Sequence, residues 1–153
     1  MHGMMRGGTS RKANIINNIF YDCGEAAIVF PTDDNTAEGN LYVKMQGGYL
    51  RVMYPAPETC LNLPAWQEFH GFDITGQNGW FDIDFDEEKG VTVKNSEKAP
   101  FGLPRQMERL QLILDPQKIK PVTADSHVPA DRDGLPHGEH VLPGPFASLN
   151  IKK

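Results

Sequence analysis

The residues best suited to holding a metal ion fall in two places. Asp82, Asp84 and Asp86 alternate with Phe81, Ile83 and Phe85, which puts three carboxylates on one face of an extended segment and three apolar side chains on the other. Several carboxylate oxygens together are what a hard cation such as calcium requires. The spacing departs from a calcium loop, because Glu87 stands at the sixth position counted from Asp82 and Val93 at the twelfth, where glycine and glutamate belong. The expectation is a half-buried strand with a solvated acidic face, returning through Gly90–Lys94 as a hairpin. His127, His137 and His140, with Asp131 and Asp133 between them, form the second set, and His137 and His140 are an i, i+3 pair. On so irregular a segment they read as surface histidines. No metal site and no cofactor is expected.

The elements that must position such groups are short. Asn62 to Gly71 reads as a helix, with Asn62 or Leu63 at its start, Pro64 in its first turn and Gly71 at its end. Leu63, Trp66 and His70 share a face of it, so Trp66 reads as a core anchor rather than a sugar-stacking platform. Cys23 and Cys60 are too few for a disulfide framework, and Cys23 reads as a small apolar side chain at a turn. Met107–Leu114 fits a short helix or, through Leu110, Leu112 and Leu114, a strand.

A repeat organises the first third of the chain. Asn18-Ile19-Phe20 returns as Asn40-Leu41-Tyr42, and Ala27-Ile28-Val29-Phe30 as Tyr49-Leu50-Arg51-Val52, each at an offset of 22 residues. Two short apolar runs per unit of about 20 residues are the pattern of a solenoid, whose turns bury their apolar faces only by stacking. Asn17-Asn18, Asp22-Cys23-Gly24 and Pro31–Asn35 supply the turns. Asn18 and Asn40 would occupy one corner of successive turns, tolerating left-handed backbone and bonding amide to amide as a two-rung ladder.

Composition narrows the classes. The 153 residues, 39% hydrophobic, suffice for one domain with a core and include no apolar run long enough to span a bilayer. A net charge of −5 without a Lys/Arg cluster argues against a nucleic-acid surface. Fifteen glycines and twelve prolines suit short strands and frequent turns. Met1–Gly8 lacks the apolar core of a secretory signal, which leaves a cytoplasmic chain, a mature form or a piece of a longer protein; with the repeat already running by Ala13 the last is the expectation, secreted or periplasmic if that protein is exported. The division expected is 13–61 as repeat turns, 62–102 as helix and hairpin, and 103–153 as an irregular C-terminal wrap.

Asn14–Tyr21 followed by Ala37–Tyr42 resembles the right-handed parallel β-helix proteins of the pectate-lyase-like superfamily. Trp66-Gln67 with Gly71-Phe72-Asp73, Trp80-Phe81 with the acidic strand, and Ala99-Pro100 with Gly102 are similar to the segment that closes many bacterial members linked to polysaccharide breakdown. Asp131–Pro136 and Pro143-Gly144-Pro145-Phe146 resemble their chain ends. The resemblance implies an all-β fold, about two to three turns of right-handed parallel β-helix with a short helix, a hairpin and a wrap. It also implies a polysaccharide lyase or glycoside hydrolase, or the C-terminal part of one, with a polysaccharide or oligosaccharide as partner. Such chemistry needs paired carboxylates or a base beside a cation. Asp33, Asp34, Glu38, Arg51 and Asp73 are the candidates for it. A non-catalytic sugar-binding or assembly module is the alternative, with exposed Tyr42, Tyr49 and Tyr54 and with Trp66 as the contacts. A short stack also leaves its first turn open, predicting a homodimer that buries the Ile15, Ile19 and Ile28 edges.

Overall fold

The computed structural model describes residues 11–53, 59–86, 90–98, 109–144 and 150–152. They form mostly short strands in five small sheets, with one α-helix. Tyr54, Ala99–Gly102, Met107 and Pro145-Phe146 lie outside the described residues.

The first six strands are two copies of one three-strand unit. β1 (Asn14–Ile16), β2 (Ile19–Tyr21) and β3 (Ile28–Phe30) pair in parallel with β4 (Thr36–Glu38), β5 (Leu41–Val43) and β6 (Leu50–Val52). The register is Asn14 on Thr36, Ile19 on Leu41 and Ile28 on Leu50, the sequence offset of 22 in every pair. Apolar side chains from both copies, including Ile28, Phe30, Leu50 and Val52, bury together with Leu63 and Trp66. The left-handed corner precedes the expected residue by one: Asn17 (φ 57°) and Gly39 (φ 67°) adopt it, not Asn18 and Asn40. Gly39 also has no room for a side chain, since a Cβ there would lie 2.5 Å from Asn17 Oδ1.

Helix α1 (Leu63–His70) forms as the caps dictate. Asn62 Oδ1 accepts from Ala65 N at 3.1 Å, and Gly71 (φ 69°) closes the last turn by donating its N–H to Gln67 O at 3.0 Å. Trp66 is fully buried against Phe30 and Phe72, as a core anchor. After α1 the chain returns as β7 (Gln77–Gly79), parallel to β5 with Leu41 on Gln77. That offset is 36, fourteen residues more than the 22 of the first repeat, and α1 is part of the excess.

β8 (Phe81–Asp86) and β9 (Gly90–Asn95) pair antiparallel, and β12 (Asn150–Lys152) adds in parallel to β9. Phe81, Val91 and Val93 cover the outer face of β5 by packing on Leu41 and Val43. Gly79 permits this turn, because a Cβ there would lie 2.2 Å from the Phe81 ring. β5 is thus buried on both faces. Tyr42 and Tyr49, expected as exposed contacts, are 1% and 3% accessible, and Phe20 and Tyr42 stack at 5.3 Å inside the repeat.

On the acidic strand Asp84 and Asp86 are exposed, as expected, while Asp82 is half-buried. Asp82 is ion-paired with Lys44 on the adjoining sheet, and Asp84 with Lys94 across the hairpin at 3.2 Å. Phe85 does not bury; it is exposed, with the Arg132 guanidinium 5.6 Å above its ring. The C-terminal part is less irregular than expected, with a 3-10 turn (Pro116–Lys118) and β10 (Val122–Thr123) antiparallel to β11 (His140–Val141). Ile113 makes a single parallel bridge to Gly79.

Candidate functional site

Asp73 and Glu38 show how the acids first singled out are used. Asp73 is fully buried; its Oδ1 accepts from Asn40 N at 2.9 Å, and its Oδ2 accepts from Asn40 Nδ2 at 2.9 Å and from the Tyr42 hydroxyl. Asn40 Oδ1 serves Asn18 in the same way, accepting from its N–H at 2.9 Å and its Nδ2 at 3.3 Å. The asparagine ladder therefore gains a third rung, and that rung is an aspartate. Burial raises the Asp73 pKa above the ordinary carboxylate value, although the hydrogen bonds from Tyr42 and Asn40 oppose the shift. Burial likewise raises Tyr42 and Tyr49, whose hydroxyl donates to Asn78 Oδ1.

Glu38 accepts from Ile74 N at 3.0 Å, Thr75 N at 2.8 Å and the Thr75 hydroxyl, clamping the turn after Asp73. Asp34 bonds to Arg11 and to the Thr32 hydroxyl, and those two bonds hold its pKa below the usual value. Burial lowers the His70 imidazole's pKa, against the opposing charge of Asp33. Arg51 sits opposite Val29 on β6, its Nε shielded from solvent and without a hydrogen-bond partner among the described residues. The structure does not bring the five together in one cleft.

A cleft of about 590 Å³ opens elsewhere, between α1 and the segment 110–121. Leu63 and Trp66 fix α1 in the core, so Pro64 and Gln67 face the opening. Gln67 Nε2 donates to the carbonyls of Asp73 (2.7 Å), Ile74 (3.4 Å) and Gly76 (3.4 Å), which together with Glu38 makes the near wall rigid. The far wall hangs on β7. Asn78 Nδ2 donates to Leu110 O at 2.9 Å, Ile113 N donates to Asn78 O at 2.9 Å, and Gln77 bonds both backbone groups of Lys120 at 2.8 and 2.7 Å. Asp115 Oδ1 starts the 3-10 turn by accepting from Gln117 N at 3.0 Å, and Lys118 and Lys120 line the rim. Among the described residues the lining mixes apolar surface with amides and two ammonium groups, and includes no carboxylate. Such a cleft can hold hydroxyls and an anionic group. Among the described lining residues the one hydroxyl is that of Thr75, which donates to Glu38; that carboxylate is the only base beside it, and the Ile74 and Thr75 N–H groups hold it in the turn.

A second cleft, about 390 Å³, lies between the Ile16–Ile19 corner and the tail, with Asp125 and His137 on its wall. His137 Nδ1 is 3.0 Å from Val128 O. A carbonyl only accepts, so Nδ1 carries the proton and Nε2 is the acceptor in the neutral ring. Asp125 is held below the usual carboxylate pKa by the His127 backbone N–H. His140 lies on β11, exposed. Among the described residues no group of three or more His, Cys, Asp or Glu gathers where it could hold a metal ion.

Sequence reasoning missed Gln67, Gln77, Asn78, Lys118 and Lys120. A legible trace existed in Gln77-Asn78-Gly79, a strand of residues that seldom form one, whose amides pair with partners 32 to 43 positions away. Comparison with known proteins gives no match to a family model, to a curated protein or to a solved structure.

Proposed function

We propose that the chain is part of a carbohydrate-active parallel β-helix protein of the pectate-lyase-like kind, and that this part binds saccharide rather than cleaving it. The three parallel strand pairs at one offset of 22 support two stacked turns of such a helix, with β7 as the start of a third. The observation that carries the binding reading is the amide-lined cleft beside α1, whose described lining residues include no carboxylate. Glycosidic cleavage by paired acids needs two carboxyl groups facing one another across the bond. Asp73 is buried and Glu38 is committed to the 74–75 turn, so both serve the frame.

A second reading, cleavage at the smaller cleft, draws on the placement of Asp125 and His137 on one wall. The test combines a glycan-binding array with assays for new reducing ends and unsaturated products on pectin, alginate and xylan. Binding without product is the expected outcome. Turnover abolished by His137→Ala in a folded protein would replace the binding reading by the catalytic one, and no binding to any glycan would sink both.

A further inference from the structure

The cleft beside α1 carries a charge pattern opposite to that of the chain. The protein has 20 Asp and Glu against 15 Lys and Arg, yet the only charged residues among those described as lining this cleft are Lys118 and Lys120. Both are exposed, and neither forms an ion pair among the described residues. Two uncompensated ammonium groups at the rim of a concave surface focus positive potential there.

Gln111, on the same wall, has a left-handed backbone with φ 50°, a conformation that glutamine adopts only when its surroundings impose it. They do so here. Its neighbours Leu110 and Ile113 are both tied to Asn78, at 2.9 Å each. The Gln111 amide itself makes no hydrogen bond among the described residues, and Gln67, with its Nε2 spent on backbone carbonyls, offers Oε1 as an acceptor. The cleft volume lies within the range of about 300–1,000 Å³ in which small molecules are held, and Leu63, Pro64 and Ile113 supply apolar surface for a ring face.

Resting on the saccharide reading and narrowing it, we infer that this cleft takes a sugar bearing a tetrahedral anionic ester, a sulfate or a phosphate. The ester oxygens meet Lys118 Nζ and Lys120 Nζ, and the ring hydroxyls meet Gln67 and Gln111. Two ammonium groups present three donors each, enough to meet the three outer oxygens of such an ester, where a carboxylate offers only two; glucuronate bound as tightly as the esters would therefore overturn the inference.

Calorimetric titration of the full chain at low salt with glucose 6-sulfate, glucose 6-phosphate, glucuronate, glucose and inorganic sulfate tests this. One or both esters should bind about tenfold more tightly than glucose, the margin that charge-assisted hydrogen bonds give. That margin should vanish in Lys118→Gln/Lys120→Gln and in Gln111→Glu, all at exposed positions, and shrink as salt rises. The tighter of the two esters names the source. Glucose bound as tightly as the esters would overturn the inference and leave the saccharide reading standing. Inorganic sulfate bound as tightly as an ester would overturn it too, showing an ion site that ignores the sugar. Failure of every small ligand also overturns it, while the glycan array decides the saccharide reading separately.

Discussion

Asp73 is the residue at which one chemical type could serve two roles, and the structure shows the frame role. Its carboxylate accepts the buried Asn40 N–H and a second bond from Asn40 Nδ2, which also donates to Ile15 O at 2.9 Å, and burial raises its pKa despite those bonds. An acid whose folded pKa lies above its unfolded value of about 4 contributes stability fully present below that value and lost as pH rises through the folded pKa. His70 works against it in a neighbouring window, because burial lowers its folded pKa and its contribution is lost as pH falls below about 6.5. The difference between wild type and Asp73→Asn isolates the aspartate. That difference in melting temperature should shift in favour of wild type as pH drops from 7 toward 4. A pH-independent difference in calorimetric scans would mean that Asp73 titrates alike in both states. Nothing in the sequence marked this rung: the insertion carrying α1 moves the offset from 22 to 36, so Asp73 does not align with Asn18 and Asn40.

At the scale of elements, what was legible is what is local. The helix was readable because Asn62, Pro64 and Gly71 act within a few residues of themselves, and the hairpin because alternation and Gly90 do the same. The parallel pairs were readable because the repeat prints their register twice. The burial of β5 on both faces was not, since the hairpin covers its outer face and leaves Leu41, Tyr42 and Val43 all buried, without alternation. The cleft was illegible for a related reason: Gln77 and Lys120 meet across 43 residues in a segment with no period. Helix α1 is the element that joins the repeat core to that cleft, so its anchor and its cap should separate in magnitude. Trp66→Ala, at a fully buried position, should cost about 3–5 kcal/mol, whereas Asn62→Ala should cost about 1 kcal/mol by leaving the Ala65 N–H uncapped. Urea unfolding measures both. A Trp66→Ala loss no larger than that of the cap would show α1 docked loosely, and the near wall of the cleft with it.

For the whole molecule the question is what covers the outer edges of the first three strands. Among the described residues β1, β2 and β3 each pair on one side only, and unpaired strand edges recruit partners. The tail answers part of this. Gly144 donates to Asn17 O at 2.7 Å and lies against Ile19, and Asn17 Nδ2 donates to Thr123 O at 3.0 Å, so the β2 corner is covered by the same chain. Among the described residues the backbone edges of β1 and β3 remain for a second copy, with half-buried Ile15 and exposed Val29 on them and Ile28 already in the core, rather than all three edges expected from the sequence. A two-fold contact is the simplest closed arrangement for identical chains. We therefore propose a homodimer through β1 and β3. Light scattering over a dilution series should show dimers at micromolar concentration that dissociate on dilution, with the melting temperature falling as they do. Val29→Lys, at an exposed position of β3, should shift the equilibrium to monomer, since a lysine on an edge strand opposes edge-to-edge pairing. A wild-type chain that stays monomeric at every concentration, with an unchanged melting temperature, would sink the dimer and leave the β1 and β3 edges to be covered by the chain itself.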